Sequence, residues 1–166
     1  MQEYPVNLKI DYPESSDRLT AVFRLILVIP VVIILALIST YAEALSFAIA
    51  MMILFKEKYP KWWFDWNIGI TKFAYRIVAY VFLMRDEYPS TDDDQSVHLT
   101  IPYPDVKQDL KRWMPLVKWI LVIPHIIALI IIFIGVVIGT IFALIAILFT
   151  GKYPIAIFRF NEGFLR

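Results

Sequence analysis

This 166-residue chain is 60% hydrophobic and 16% aromatic, with a mean hydropathy of +0.67. Soluble domains carry roughly 45–50% apolar residues, so too little polar surface remains here to cover a soluble fold. A formal net charge of +1 gives no bulk electrostatic case for nucleic acid, and with no cysteine there is no disulfide framework, thiol nucleophile or cysteine metal site.

Met1-Gln2-Glu3-Tyr4-Pro5 lacks the basic and apolar regions of a cleavable signal, so insertion is expected from internal segments. Val6, Leu8, Ile10 and Tyr12 then alternate with Asn7, Lys9 and Asp11, the pattern of a half-buried strand. Pro13 ends it, and Ser15 or Ser16 is placed to cap the helix that follows. Two apolar runs, 25–42 and 44–55, read as the arms of a first helical hairpin with its tip around Ser39 to Glu43. The second arm is short, so both a spanning and a re-entrant hairpin fit.

Beyond the basic exit at Lys56 to Pro60, residues 61–84 place Asp65, Gly69, Lys72 and Arg76 on one narrow arc of a helix. This predicts an amphipathic helix at the membrane surface, with packing on protein as the alternative. Trp62, Trp63 and Trp66 fit a belt at the headgroup level, as do the six Tyr-Pro pairs at element edges. Residues 86–96 are acidic and poor in apolar side chains, and read as a solvated linker.

Residues 97–166 repeat the plan of residues 1–85. Val97, Leu99, Ile101 and Tyr103 match Val6, Leu8, Ile10 and Tyr12; ninety-four positions on, Leu27-Val28-Ile29-Pro30 recurs as Leu121-Val122-Ile123-Pro124. Lys58-Tyr59-Pro60 recurs as Lys152-Tyr153-Pro154, and Phe64, Asn67 and Gly69 as Phe158, Asn161 and Gly163. So many matches at one offset predict a duplication. Residues 119–149 carry no fixed charge, and one rod of that length exceeds the ~30 Å hydrocarbon core. A second hairpin turning near Gly135 and Gly139 is therefore expected. The fold class is mainly α and integral to a membrane, with two tandem spanning or re-entrant hairpins, each preceded by a short cytosolic strand, plus the surface helix. The two strands are expected to pair.

All sixteen Lys and Arg residues lie outside the expected tips, which places both termini in the cytoplasm. Arg24 and Lys118 stand at equivalent entrances to the two hairpins and suit lipid phosphate or snorkelling to the headgroups. Lys72 and Arg76 join them as interface candidates. Pro30 and Pro124 fall inside apolar runs and read as kinks. His125, an ionisable group in an apolar helix, is the polar candidate within the membrane, weighed against a packing role. Glu43 near the first tip and the Asp92-Asp93-Asp94 run read as solvated groups. No catalytic, metal or cofactor residue emerges, because neither histidine has a carboxylate at helical spacing and no phosphate loop or nucleophile elbow is present.

Several stretches carry a likeness to a known family: Tyr4-Pro5-Val6, Asn67-Ile68-Gly69, Ile123-Pro124-His125 and Phe149-Thr150-Gly151-Lys152-Tyr153-Pro154, with Arg76, Ala79, Tyr80, Asp86 and Tyr88-Pro89. Together they resemble the prokaryotic membrane family called domain of unknown function 4389. The resemblance implies a prokaryotic cytoplasmic membrane and a repeated architecture, and no reaction. It departs from the family in the second copy, which stops at Arg166 without the final amphipathic helix. The functional expectation is a non-catalytic accessory or scaffolding subunit of a larger membrane complex, in contact with membrane lipids. The alternatives are an autonomous lipid-binding or membrane-shaping hairpin protein, then a small transporter or channel.

Overall fold

The two alternating stretches pair with each other in the computed structural model, which describes residues 6–56, 58–104 and 114–166. Strands β1 (Asn7–Ile10) and β2 (Val97–Thr100) run antiparallel, with Leu8 opposite Leu99 and Ile10 opposite Val97. Those four side chains are buried, while Asn7, Lys9, His98 and Thr100 face outward. A two-stranded sheet is marginal alone. Here its inner face is closed by helices.

Helix α1 (Arg18–Leu27) begins at Asp17, whose carboxylate accepts the Leu19 N–H at 2.9 Å. The cap thus falls after Ser15 and Ser16, because Ser16 is buried and gives its own N–H to the Gly151 carbonyl at 2.9 Å. Helix α2 (Ile29–Lys56) follows a break at Val28. Pro30 therefore lies in the first turn of a new helix, where its missing N–H costs little, instead of kinking a helix interior. Helices α3 (Lys61–Val81), α4 (Met114–Thr150, with Pro124 inside it) and α5 (Ile155–Leu165) complete a mostly helical fold. Two stretches, Arg18–Ile53 and Leu121–Thr150, are helical, long and apolar enough to cross a membrane.

Neither expected tip is a turn. Ser39 to Glu43 lie within α2, and Gly135 and Gly139 within α4. The chain turns instead at the Tyr-Pro exits, so that α2 packs on α3 and α4 on α5. In an uncharged run a helix satisfies its own backbone, and nothing is gained by opening it. The two glycines serve the return helix: a Cβ on Gly135 would stand 3.3 Å from the Phe160 ring, and one on Gly139 3.2 Å from Ile157. The glycine that does turn the chain is Gly151, at φ +72, its N–H closing on the Ile147 carbonyl at 2.7 Å.

The main core joins Leu8 and Leu99 of the sheet to Val136, Ala143 and Ile147 of α4 and Phe158 and Leu165 of α5. A second cluster packs Phe73, Ile77 and Tyr80 of α3 on Val28 and Val31. The amphipathic helix expected at the membrane surface thus covers protein along this face, since its aromatic stripe meets the apolar start of α2.

Candidate functional site

Arg24 on α1 is 1% exposed and lies under the end of α3. Its Nη1 donates to the carbonyls of Tyr80 at 3.2 Å and Arg85 at 3.0 Å, its Nη2 pairs with Asp86, and its guanidinium carbon sits 4.6 Å from the centre of the Tyr80 ring. The carbonyls converge because α3 ends in a Schellman turn. The Met84 N–H reaches the Ala79 carbonyl at 2.9 Å and the Leu83 N–H that of Tyr80 at 3.1 Å, with Leu83 in the left-handed region at φ 62. A side chain there costs about 1–2 kcal/mol. Burial of the Leu83 side chain against the core holds it in place.

The segment that follows is no free linker. Asp86 also accepts the Asp17 N–H at 2.9 Å, tying the pair to the start of α1. Arg85 pairs with Glu87 at 2.5 Å and donates to the Asp11 carbonyl at 3.1 Å; Glu87 accepts the Ser96 N–H at 3.0 Å and its hydroxyl at 2.5 Å. Partial burial pushes the Glu87 carboxyl up, but the bonds from Ser96 and Arg85 outweigh it and hold the group below its ordinary value. Residues 85–96 thus form a strap across the base of the helices, while Asp92, Asp93 and Asp94 stay in solvent as expected.

The second polar cluster ties α5 to α4. Buried Asn161 donates to the Tyr153 hydroxyl at 3.0 Å and to Thr140 at 3.4 Å, and Tyr153 donates to the Phe82 carbonyl at 3.1 Å. Burial raises the Tyr153 hydroxyl well above its ordinary pKa, so it stays protonated as a donor.

Of the residues expected at lipid, Arg24 is turned inward, because carbonyls and a carboxylate some sixty positions on outcompete the headgroup region. Arg76 is half-buried and donates to the Ser90 carbonyl at 2.6 Å, not to the surface. Trp63 is 3% exposed, whereas its neighbours Trp62 and Trp66 keep 62% and 37% of their surface. Lys72 is half-buried on α3, Glu43 is exposed within α2 and His125 is exposed on α4. Lys118 falls in the early turns of α4 with its side chain outside the described residues, as does any comparison of it with Arg24. His98 meets Asp11 at 3.1 Å on the outer sheet face. Asp86 and Glu87 escaped residue-level reasoning; an acidic pair after an apolar helix reads as solvent-facing until its arginine partners are located.

A small, mostly helical protein with two helices fit to span a membrane, fastened by a two-stranded sheet and a buried arginine, is the class this fold defines. A family model described as Domain of unknown function (DUF4389) matches residues 18–91, the stretch that holds Arg24, Tyr80 and Asp86. The match runs past residue 85 into the strap, in keeping with the strap's place in the fold. No curated protein and no solved structure matches the chain.

Proposed function

We propose that this protein is a non-catalytic accessory subunit of a larger membrane complex, integral to the bilayer through its two long apolar helices. One observation carries the reading. Every residue of α4 from Leu121 to Ile134 is exposed apart from half-buried Leu129, on all sides of a helix that carries no fixed charge there. Roughly four turns of bare apolar helix require cover, since monomeric soluble proteins expose contiguous apolar patches of only a few hundred Å2.

His125 is the single titratable group of that stretch and offers a hydrogen bond to a partner helix, a contact that orients helices in a membrane. The charged groups of the base support the non-catalytic part of the reading: Arg24, Arg85, Asp86 and Glu87 are engaged in holding the strap and the end of α3. The same proposal puts the termini and the sheet on the cytoplasmic side, by the preference of Lys- and Arg-rich segments for that face.

Solubilisation of native membranes in mild detergent, native-gel separation and mass spectrometry test it. A larger protein at fixed stoichiometry is expected. A homogeneous species holding this chain and lipid alone overturns the reading.

A further inference from the structure

One row of side chains on α4 is covered along part of its length and bare along the rest. Val136, Gly139 and Ala143 are spaced so that they share one side of the helix. Val136 and Ala143 are fully buried, and Gly139 lies against Ile157 of α5. The same spacing continues back through Ile132, Leu129, His125 and Val122. Near Phe133 the cover ends, where the last turn of α5 sets Phe164 with ring centres 5.9 Å apart.

The matching row at the start of α2 shows what covers such a face. Val28, Val31 and Leu35 stand ninety-four positions before Val122, His125 and Leu129, and Phe73, Ile77 and Tyr80 of α3 pack on them. Val28 and Val31 are 7% and 5% exposed, whereas Val122 is 45% exposed and His125 is open as well. On the opposite side the two helices agree: Ile29 and Ile33, and their matches Ile123 and Ile127, are all more than half exposed. The halves thus differ on the side where α3 lies.

We propose that the row from Val122 to Ile132 receives one helix of the larger protein, end to end with α5. The groove is continuous with the interface that α5 already makes at Gly135 and Gly139. Like Phe73, Ile77 and Tyr80, the occupant presents aromatic or branched apolar side chains at helical spacing, since no Lys, Arg, Asp or Glu stands between Leu121 and Ile134 to pair with a charge. Opposite His125 it carries an uncharged hydrogen-bonding side chain. An acyl chain in that place would leave the imidazole unpaired in an apolar medium, which selects a helix over lipid. This docking face rests on the subunit reading and names where on α4 the larger protein is held.

The test places p-benzoyl-phenylalanine at single positions of the full chain, produced and illuminated in its native membranes. From Val122 and Ile132, cross-links are expected to one segment of one larger protein, with attachment points about ten residues apart, as on a helix paired with α4. From Ile123 and Ile127, on the opposite side, adducts with lipid are expected. Lipid adducts from all four positions, protein adducts from all four, or a cross-linked dimer of this chain overturn the docking face. Co-migration with a larger protein on native gels decides the subunit reading separately, so the two fail independently. His125→Leu is expected to lower the larger protein retained in detergent by about threefold, the worth of one hydrogen bond between membrane helices, while Ile127→Leu leaves it unchanged. Equal retention by both variants overturns the contact at His125.

Discussion

Tyr12 and Tyr103 donate the same hydrogen bond to opposite hairpins. Tyr12, beyond β1, gives its hydroxyl to the Tyr153 carbonyl at the second turn, and Tyr103, beyond β2, gives its own to the Tyr59 carbonyl at the first. Each ring also stands edge-on to a phenylalanine, Tyr12 to Phe158 and Tyr103 to Phe64, both with centroids 5.1 Å apart. With Leu8 facing Leu99 in the sheet, the segment beyond each strand reaches a different Tyr-Pro turn, Tyr12 the one after α4 and Tyr103 the one after α2.

Tyr12→Phe and Tyr103→Phe test that exchange. Each leaves the edge-on packing and removes one hydroxyl, at a cost of about 0.5–1.5 kcal/mol. The Tyr12 bond is the better sheltered of the two, so its loss is expected to lower the unfolding midpoint more. The two bonds share no partner, and the double variant is expected to show the sum of the single effects in thermal unfolding followed in detergent.

Arg24 is expected to be the most sensitive charged position. Arg24→Met removes one donor from Asp86 and from each of two carbonyls, and with the Asp86 side chain 30% exposed the loss is expected near the lower end of the about 3–5 kcal/mol that breaking a buried pair costs. Arg24→Lys is not conservative here, since a single ammonium cannot span three acceptors set for a planar fork. The double-mutant cycle with Asp86→Asn is expected to return a coupling of about 0.5–3 kcal/mol. Additive losses would mean that the pair does not act as one unit.

The strands were legible because period-two alternation depends on their own residues: Leu8, Ile10, Val97 and Leu99 face inward as the pattern requires. The matched Lys-Tyr-Pro motifs also marked where both long helices end. The turns were misplaced because a glycine in an apolar run reads alike as a bend and as a contact, and only the residue across from it decides. For Gly135 that residue is Phe160 and for Gly139 it is Ile157, each on the helix beyond the true turn. Arg24 was hidden for a similar reason: its partners stand 56 to 62 positions away, and no local rule reports a contact at that separation.

The glycines separate by what surrounds them. A Cβ at Gly69 would meet nothing within 4 Å, and the residue lies inside α3, so Gly69→Ala is expected to stabilise by roughly 0.5–1 kcal/mol through helix propensity alone. Gly139→Leu drives a side chain into Ile157 and pushes α5 off α4. Faster hydrogen exchange of the α5 amides, with those of α3 unchanged, is the expected signature. Protection of α5 equal to wild type would show that the close approach at Gly139 does not hold the return helix.

Glu87 gives the strap a pH dependence with a definite sign. Partial burial disfavours its charged form, but the bonds from Ser96 and Arg85 favour that form by more, so the carboxyl titrates below the ordinary 4.5. A group depressed in the folded state contributes stability that is complete above its unfolded value and is lost as pH falls through the folded one. Wild type and Glu87→Gln are therefore expected to differ in unfolding midpoint by a constant amount from neutral pH down to about 5, with the gap closing below 4.5 as the wild-type carboxylate takes up its proton. The loss follows from geometry: Glu87 holds both the N–H and the hydroxyl of Ser96, and the Ser96 carbonyl accepts the Asp11 N–H at 3.1 Å beside β1, so protonation loosens the strap where it meets the sheet. A gap that persists unchanged to pH 3 would show that the ionised carboxylate adds nothing beyond its shape.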